Sequence, residues 1–428
     1  MISAETVITF ATPVFFALIG VELLVAKLRG RRAYRSNDAV TSIGLGVISQ
    51  LAGVFLKVLT VGVYAWCVEH VALFALPADA WWVWVSGLLL YDFLYYWLHR
   101  TGHEVNILWA AHVVHHQSED YNLSTALRQT ATGGLLGWLF YLPMALLGYP
   151  VSVFVAVALI DLLYQFWVHT EQVGKLGWFD RVFCSPSNHR AHHAVNDRYL
   201  DRNYGGILIL WDRLFGTFVE EDDNDRPIYG TRAPLRSFNP LWANLEVYWA
   251  TWQDARRATR WRDRLQIWLR PPGWRPADVA TRFPKPAFDL ARERFDPPLT
   301  RRRAVYGLAQ FALLLGMTTH FLGLAAQASL GVLLGYAAVI ALSLTVLGAW
   351  WEGRRGAVWL EAARVVALAV VPVLLGRWFG LDGAPVRLAF ALVFGASALA
   401  LAWVTHGADS PSDTGAMAMG GARAAASK

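Results

Sequence analysis

Runs of about twenty apolar residues, the length that crosses a bilayer as a helix, recur along the chain. They lie at roughly 5–25, 42–66, 79–98, 131–148 and 150–168, and again at 303–325, 328–351, 357–379 and 385–405. Between the two groups runs a long polar stretch, 170–302. The pattern predicts an all-α integral membrane protein: a helical transmembrane bundle, a polar cap and a C-terminal helical membrane module. Runs 42–66 and 131–168 leave a re-entrant path open, so eight or nine crossings are expected. The chain divides into N-terminal membrane helices (1–78), a core (79–235), a cytoplasmic or interfacial helical segment (236–302), the C-terminal module (303–406) and a small-residue tail (407–428) expected to be disordered. Gly148-Tyr149-Pro150 reads as the turn of a hairpin between runs four and five. No internal repeat is evident.

Composition agrees with the pattern: 55% of residues are hydrophobic, 16% are charged, and the 21 tryptophans suit rings parked at headgroup level. The net charge of +6 fits basic cytoplasmic loops better than nucleic-acid binding. The first apolar run has no basic leader, carries Glu5 and Glu22, and is followed by KLRGRRAYR, so it reads as a membrane helix rather than a cleaved signal peptide. That basic loop and EGRRG at 352–356 belong on the cytoplasmic side, and counting onward brings 99–128 and 169–302 to the same side. Residues 240–275 mix Trp with Arg, which suits either a helix lying on the membrane surface or one packed on the polar cap. Cys67 and Cys184 show no metal or redox spacing and are expected to form no disulfide. No dinucleotide or NTP-binding glycine motif occurs.

The chemistry concentrates in histidine. Nine of the twelve lie within 95 residues: His99 and His103, then His112, His115 and His116, then His169, then His189, His192 and His193. Eight of them form one H-x-x-x-H and two H-x-x-H-H motifs, with His169 standing alone between, and residues three and four apart share one face of a helix. Each motif is therefore expected to aim its imidazoles at one point. Neutral imidazole ligates iron, zinc and copper, and nine ligands suit two metals with a position left open. A closed structural zinc site, with four ligands and often thiolates, does not fit; a redox metal does. A metal transporter is a more distant reading, because these ligands gather at the polar rim rather than at mid-membrane. Tyr121 and Asn122 are expected to brace the second motif, and Glu171 to orient His169. Arg128 either meets a lipid phosphate or snorkels. Asp161, inside an apolar run, is either functional or paired within the bundle. Asn203-Tyr204-Gly205-Gly206 reads as turns that hold the third motif, and Asp212 with Arg213 as an ion pair.

The stretch DFLYYWLHRTGHEVNILWAAHVVHHQSEDYNLSTALRQ, with LLYQFWVHTE and SPSNHRAHHAVNDRYLDRNYGGILILWDRLFGTF, resembles the fatty acid hydroxylase and sterol desaturase superfamily of membrane di-iron oxygenases. Within it, HHQSEDYNLSTALRQ is similar to the glyceryl-ether (alkylglycerol) monooxygenase group. The resemblance covers roughly residues 85–232. It implies two iron atoms held by the nine histidines, molecular oxygen, and tetrahydrobiopterin or another external reductant. It implies hydroxylation of the ether-bearing carbon of a membrane lipid, with release of a fatty aldehyde; a sterol, fatty acyl, carotenoid or aminolipid substrate is the alternative. It places Glu104 in the essential set, as a ligand or as an acceptor for an imidazole N–H. It also leads one to expect a histidine pair where Asn188 and His189 stand, so that Asn188 is either a support or a substitute ligand.

Overall fold

The computed structural model describes residues 4–406, with side chains described from residue 10. The tail 407–428, expected to be disordered, lies outside the described residues. The described chain is helical apart from loops and one two-residue hairpin. It forms two compact units: residues up to Arg236 together with Leu241–Arg294, and Ser237–Pro240 together with Phe295 onward.

The first unit opens with α1 (Ala4–Leu28), then α2 (Ser36–Lys57), which runs through one π-helical turn, Val58–Gly62, into α3 (Val63–His70). The histidine-bearing helices α4 (Trp81–Glu104) and α5 (Asn106–His116) follow, separated by Val105 alone in extended conformation. After the single turns α6 (Leu123–Ala126) and α7 (Leu142–Leu146), α8 (Val151–Trp167) returns. Short helices α9 (Phe179–Val182), α10 (Pro186–His193) and α11 (Leu210–Phe215) lead to α12 (Pro240–Arg257), α13 (Trp261–Gln266) and α14 (Ala277–Arg282). The apolar core joins α3, α4, α7 and α8 through Tyr64, Val83, Tyr91, Met144, Val153 and Phe154. There Tyr64 stacks on Phe154 at 4.0 Å and Tyr91 on Tyr141 at 4.5 Å.

Run 131–148 does not form a spanning helix. It breaks into two 3₁₀ pieces, Gly133–Leu135 and Gly137–Tyr141, before α7, because Gly133, Gly134 and Gly137 fall within it and Pro143 removes a backbone donor. The predicted turn after it is present: Gly148 has φ of +83°, and a Cβ there would sit 1.8 Å from the Phe74 carbonyl oxygen, so only glycine fits.

The second unit contains α15 (Arg301–Leu324), α16 (Leu330–Trp351), α17 (Ala357–Leu375) and α18 (Ala384–His406), with a hairpin of Arg377–Trp378 and Leu381–Asp382 between the last two. Inside it Glu361 accepts from Tyr306 Oη (2.7 Å) and from Arg364 Nε (2.8 Å) and Nη2 (2.6 Å), and Arg364 Nη2 also reaches Gln310 (2.7 Å). Among the described residues six helices are long and apolar enough to cross a membrane: one within α1, one through α2 and α3, and α15 to α18. The protein is an integral membrane protein. Run 150–168 forms α8, which at 17 residues is shorter than those six.

Candidate metal centre

Three short segments bring the nine histidines together. The α4–α5 corner is held by Asn106, whose Nδ2 donates to Thr251 Oγ1 and the Ile267 carbonyl at 3.0 Å each. Thus α12 and the end of α13 fix the helix that carries the second motif. Ser185 caps α10, its side chain accepting from Asn188 N at 3.4 Å, with Pro186 in the first turn. His169 follows α8 directly. The imidazole nitrogens then fall into two groups, His99, His103, His112, His116 and His192, and His115, His169, His189 and His193, each with its ligand atoms within 4.8 Å of one another. The groups abut: the rings of His116 and His193 stack at 4.3 Å.

The motifs do not aim at one point each. His112 and His116, four apart, enter the first group, while His115 enters the second; His189 and His193 enter the second, while His192 enters the first. A step of one residue turns a helix by about 100°, so adjacent histidines diverge. Each H-x-x-H-H motif therefore serves both groups and ties them into one centre.

The donor chemistry fits cations. His99, His115, His169 and His192 place Nδ1 at 2.8–2.9 Å from the backbone carbonyls of Tyr204, Arg128, Gln165 and Arg202. A carbonyl only accepts, so each Nδ1 carries the proton and each Nε2 presents a bare lone pair. The bare Nε2 atoms of His115 and His169 face each other at 3.1 Å, and Nε2 of His112 lies 3.1 Å from that of His99 and Nε2 of His189 3.0 Å from that of His169. Nε2 of His103 and of His192 is buried with no hydrogen-bond partner among the described residues. Burial holds the α5 and α10 histidines and His169 below the usual imidazole pKa, His115 down to about 4, with neighbouring histidines adding to the effect. Facing lone pairs on neutral, desolvated rings repel one another unless a metal lies between them.

The supporting residues fall differently from expectation. Glu104 is half-exposed and pairs with Arg100 Nε at 2.9 Å; it lies in neither histidine group. The carboxylate beside a histidine is Asp201, whose Oδ1 is 3.3 Å from His103 Nδ1. Asp201 holds a left-handed φ of 56°, and no sequence signal marks it, 98 positions from its partner. Asn188 turns away from the metal groups: its Nδ2 donates to the carbonyls of Asp180 (3.0 Å) and Phe183 (3.1 Å), fixing the start of α10. Arg128 neither snorkels nor lies at a surface. It is 2% exposed, donates to the Val114 carbonyl and Ser42, and its own carbonyl holds His115. Glu171 accepts from Tyr229 at 3.2 Å, and the Nδ1 partner of His169 is Gln165. Tyr121 packs its ring beside His169 and His193. Asn122 caps α6 and donates to the Ala33 carbonyl.

Asp212 and Arg213 form no ion pair. Asp212 accepts from the backbone of Tyr204 and Gly205 and from Thr217, whereas Arg213 lies over Phe218 at 3.8 Å; consecutive side chains on a helix point apart. Asp161 accepts from Gln165, one turn on, and has no cationic partner among the described residues. Sequence reasoning did not single out two further carboxylates that brace the centre. Asp92 accepts from Ile207 N, Leu208 N and Trp211 Nε1, pinning to α4 the loop whose Tyr204 holds His99. Glu22 of α1 accepts from Leu123 N (2.8 Å), Tyr34 and Thr170.

The fatty acid hydroxylase family model matches residues 84–217, the stretch that carries all nine histidines. The alkylglycerol monooxygenase of Homo sapiens is 37% identical over 364 residues, covering 83% of this chain and 80% of that protein. That of Danio rerio is 38% identical over 369 residues, covering 84% and 81%. The chain belongs to the alkylglycerol monooxygenase group of the fatty acid hydroxylase family. It is an oxygen-dependent, lipid-hydroxylating oxidoreductase of the membrane. An ornithine lipid hydroxylase of Rhizobium tropici is 30% identical over 142 residues, 31% of this chain and 41% of that protein. No solved structure matches the chain.

Proposed function

We propose that each histidine group holds one iron, that the pair activates oxygen on the cytoplasmic side of the membrane, and that the substrate is an ether lipid hydroxylated at the ether-bearing carbon. The observation that carries this reading is two abutting, all-imidazole groups in a chain that matches alkylglycerol monooxygenases over more than four-fifths of its length. Open nitrogen-rich sites suit iron and oxygen chemistry. Bound iron supplies the two-metal activation of oxygen.

The protein's part is orientation and exclusion of water. The carbonyls of Tyr204, Arg128, Gln165 and Arg202 fix four ring tautomers, and Asp201 raises the donor strength of His103. Eight of the nine histidines are under 10% exposed, so the centre is shielded from bulk water. An ether carbon lies at the headgroup boundary, which a site near the membrane surface reaches; mid-chain carbons need a deeper pocket. Hydroxylation there gives a hemiacetal, which falls to a fatty aldehyde and glycerol. A reduced pterin, tetrahydrobiopterin, is the reductant we expect.

The test supplies an alkylglycerol, oxygen and reduced pterin to membranes containing the protein and follows aldehyde. Aldehyde that requires all three is expected. If none appears with any reductant, and a hydroxylated acyl or amino lipid accumulates instead, the ether-lipid reading is wrong. The likeness to an ornithine lipid hydroxylase makes an aminolipid the second substrate to supply.

A further inference from the structure

The four-histidine group has an aromatic path leading away from it. The Tyr121 ring lies 5.3 Å from His193 and 5.7 Å from His169. Tyr229 stacks on Tyr121 at 4.7 Å with only 14° between the planes. Both tyrosines are buried, at 3% and 6% exposure. Their hydroxyls meet different partners. Tyr121 donates to the Val168 carbonyl at 3.0 Å, a group that does not take up a proton. Tyr229 donates to the Glu171 carboxylate at 3.2 Å, and Glu171 is exposed. The backbone secures this register: Ala194, next to His193, bridges Tyr229, and Val195 N donates to the Ile228 carbonyl at 2.8 Å. Aromatic packing alone accounts for the stack. It does not account for a buried phenol at the far end aimed at a water-facing carboxylate within proton-transfer reach.

We propose that Tyr121 and Tyr229 form an electron relay that drains oxidising equivalents from the metal centre when oxygen reacts there with no lipid in place. One electron leaves the Tyr229 ring and passes through Tyr121 to the centre. The Tyr229 hydroxyl proton moves to Glu171, leaving a neutral phenoxyl radical, and Glu171 returns the proton to water. A small soluble reductant of the thiol or reduced-pterin class then gives the radical one electron and one proton and restores the phenol. A second passage delivers a second electron; with the two electrons already held by the reduced centre and four protons taken from water, the oxygen leaves as two molecules of water. Tyr121 conducts and Tyr229 stores, because only Tyr229 has an acceptor for its proton. The relay protects the histidine ligands from oxidation during unproductive turnover. It rests on the iron reading above.

The experiment uses the purified, iron-loaded full chain, reduced and mixed with oxygen without lipid, then frozen rapidly for electron paramagnetic resonance. Iron content is measured on the same samples. We expect an organic radical whose line narrows when the protein carries ring-deuterated tyrosine. Tyr229→Phe should lose that signal and keep its iron. It should also inactivate after severalfold fewer turnovers, with its single-turnover yield on lipid unchanged. Glu171→Gln should form the radical more slowly and in lower yield, which tests the proton step even if Tyr229→Phe folds poorly. A deuterium-insensitive radical, such as one on Trp109 beside His103, overturns the relay. So does full iron loading with no radical, or a tyrosyl signal and inactivation rate unchanged in Tyr229→Phe. In each case the iron content shows whether the di-iron reading itself has failed.

Discussion

His103 stands apart from the other histidines because its Nδ1 faces a carboxylate, Asp201, where four of the others face backbone carbonyls. A carboxylate behind a ligand histidine raises its basicity, and its loss costs about 10–100-fold in metal affinity. Asp201→Asn should lower iron affinity by about that factor, with Asp201→Glu recovering part of it, as read by chelator competition. Glu104 lies on Arg100 and away from both groups, so Glu104→Gln should keep both metals whatever it does to turnover. Iron loss in Glu104→Gln alongside full retention in Asp201→Asn would reverse the two assignments. Eight of the nine histidines were legible in the sequence through their spacing, and His169 through its place at the end of an apolar run. Asp201 was not, since nothing local connects it to His103. Glu104 adjoins His103 in sequence but its side chain lies on Arg100, because neighbours on a helix diverge.

The helices set how far sequence pattern reaches. Spacing predicts that His112 and His116 share a face, and they do. That α5 and α10 each feed both groups depends on how the helices cross, which periodicity does not encode. Turn chemistry was legible at Gly148, where φ is +83° and the Phe74 carbonyl lies in the way of any Cβ. Gly148→Ala should destabilise the first unit by more than about 1 kcal/mol and lower its thermal midpoint; an unchanged midpoint would mean the turn relaxes. Apolar length misled at 131–148, where glycines and a proline interrupt the helix. In the second unit Glu361 and Arg364 are 0% and 6% exposed. Arg364→Ala leaves a buried carboxylate uncompensated, at a cost of about 3–5 kcal/mol, whereas replacing both with apolar residues of similar size should be far milder. Equal losses in the single and double variants would show that the pair adds nothing.

At the scale of the whole molecule, six helices among the described residues are long and apolar enough to cross a membrane, in a chain that also carries a buried, nitrogen-lined centre. The basic segment 27–35 supports our proposal that this centre faces the cytoplasm. Both native cysteines are buried, so a cysteine at the exposed Lys175 gives a clean label. Lys175→Cys should resist an impermeant maleimide in intact cells and react after permeabilisation; labelling from outside would invert the topology. The central claim is that nine histidines form two coupled metal positions. Its most direct test is metal content, with Mössbauer spectra, of protein purified from iron-replete cells. The wild type should hold two irons per chain. His192→Ala should perturb the five-histidine position and His115→Ala the four-histidine position, giving different spectra, and the double variant should lose both metals. One tightly held metal in the wild type, or two irons retained in the double variant, would contradict it.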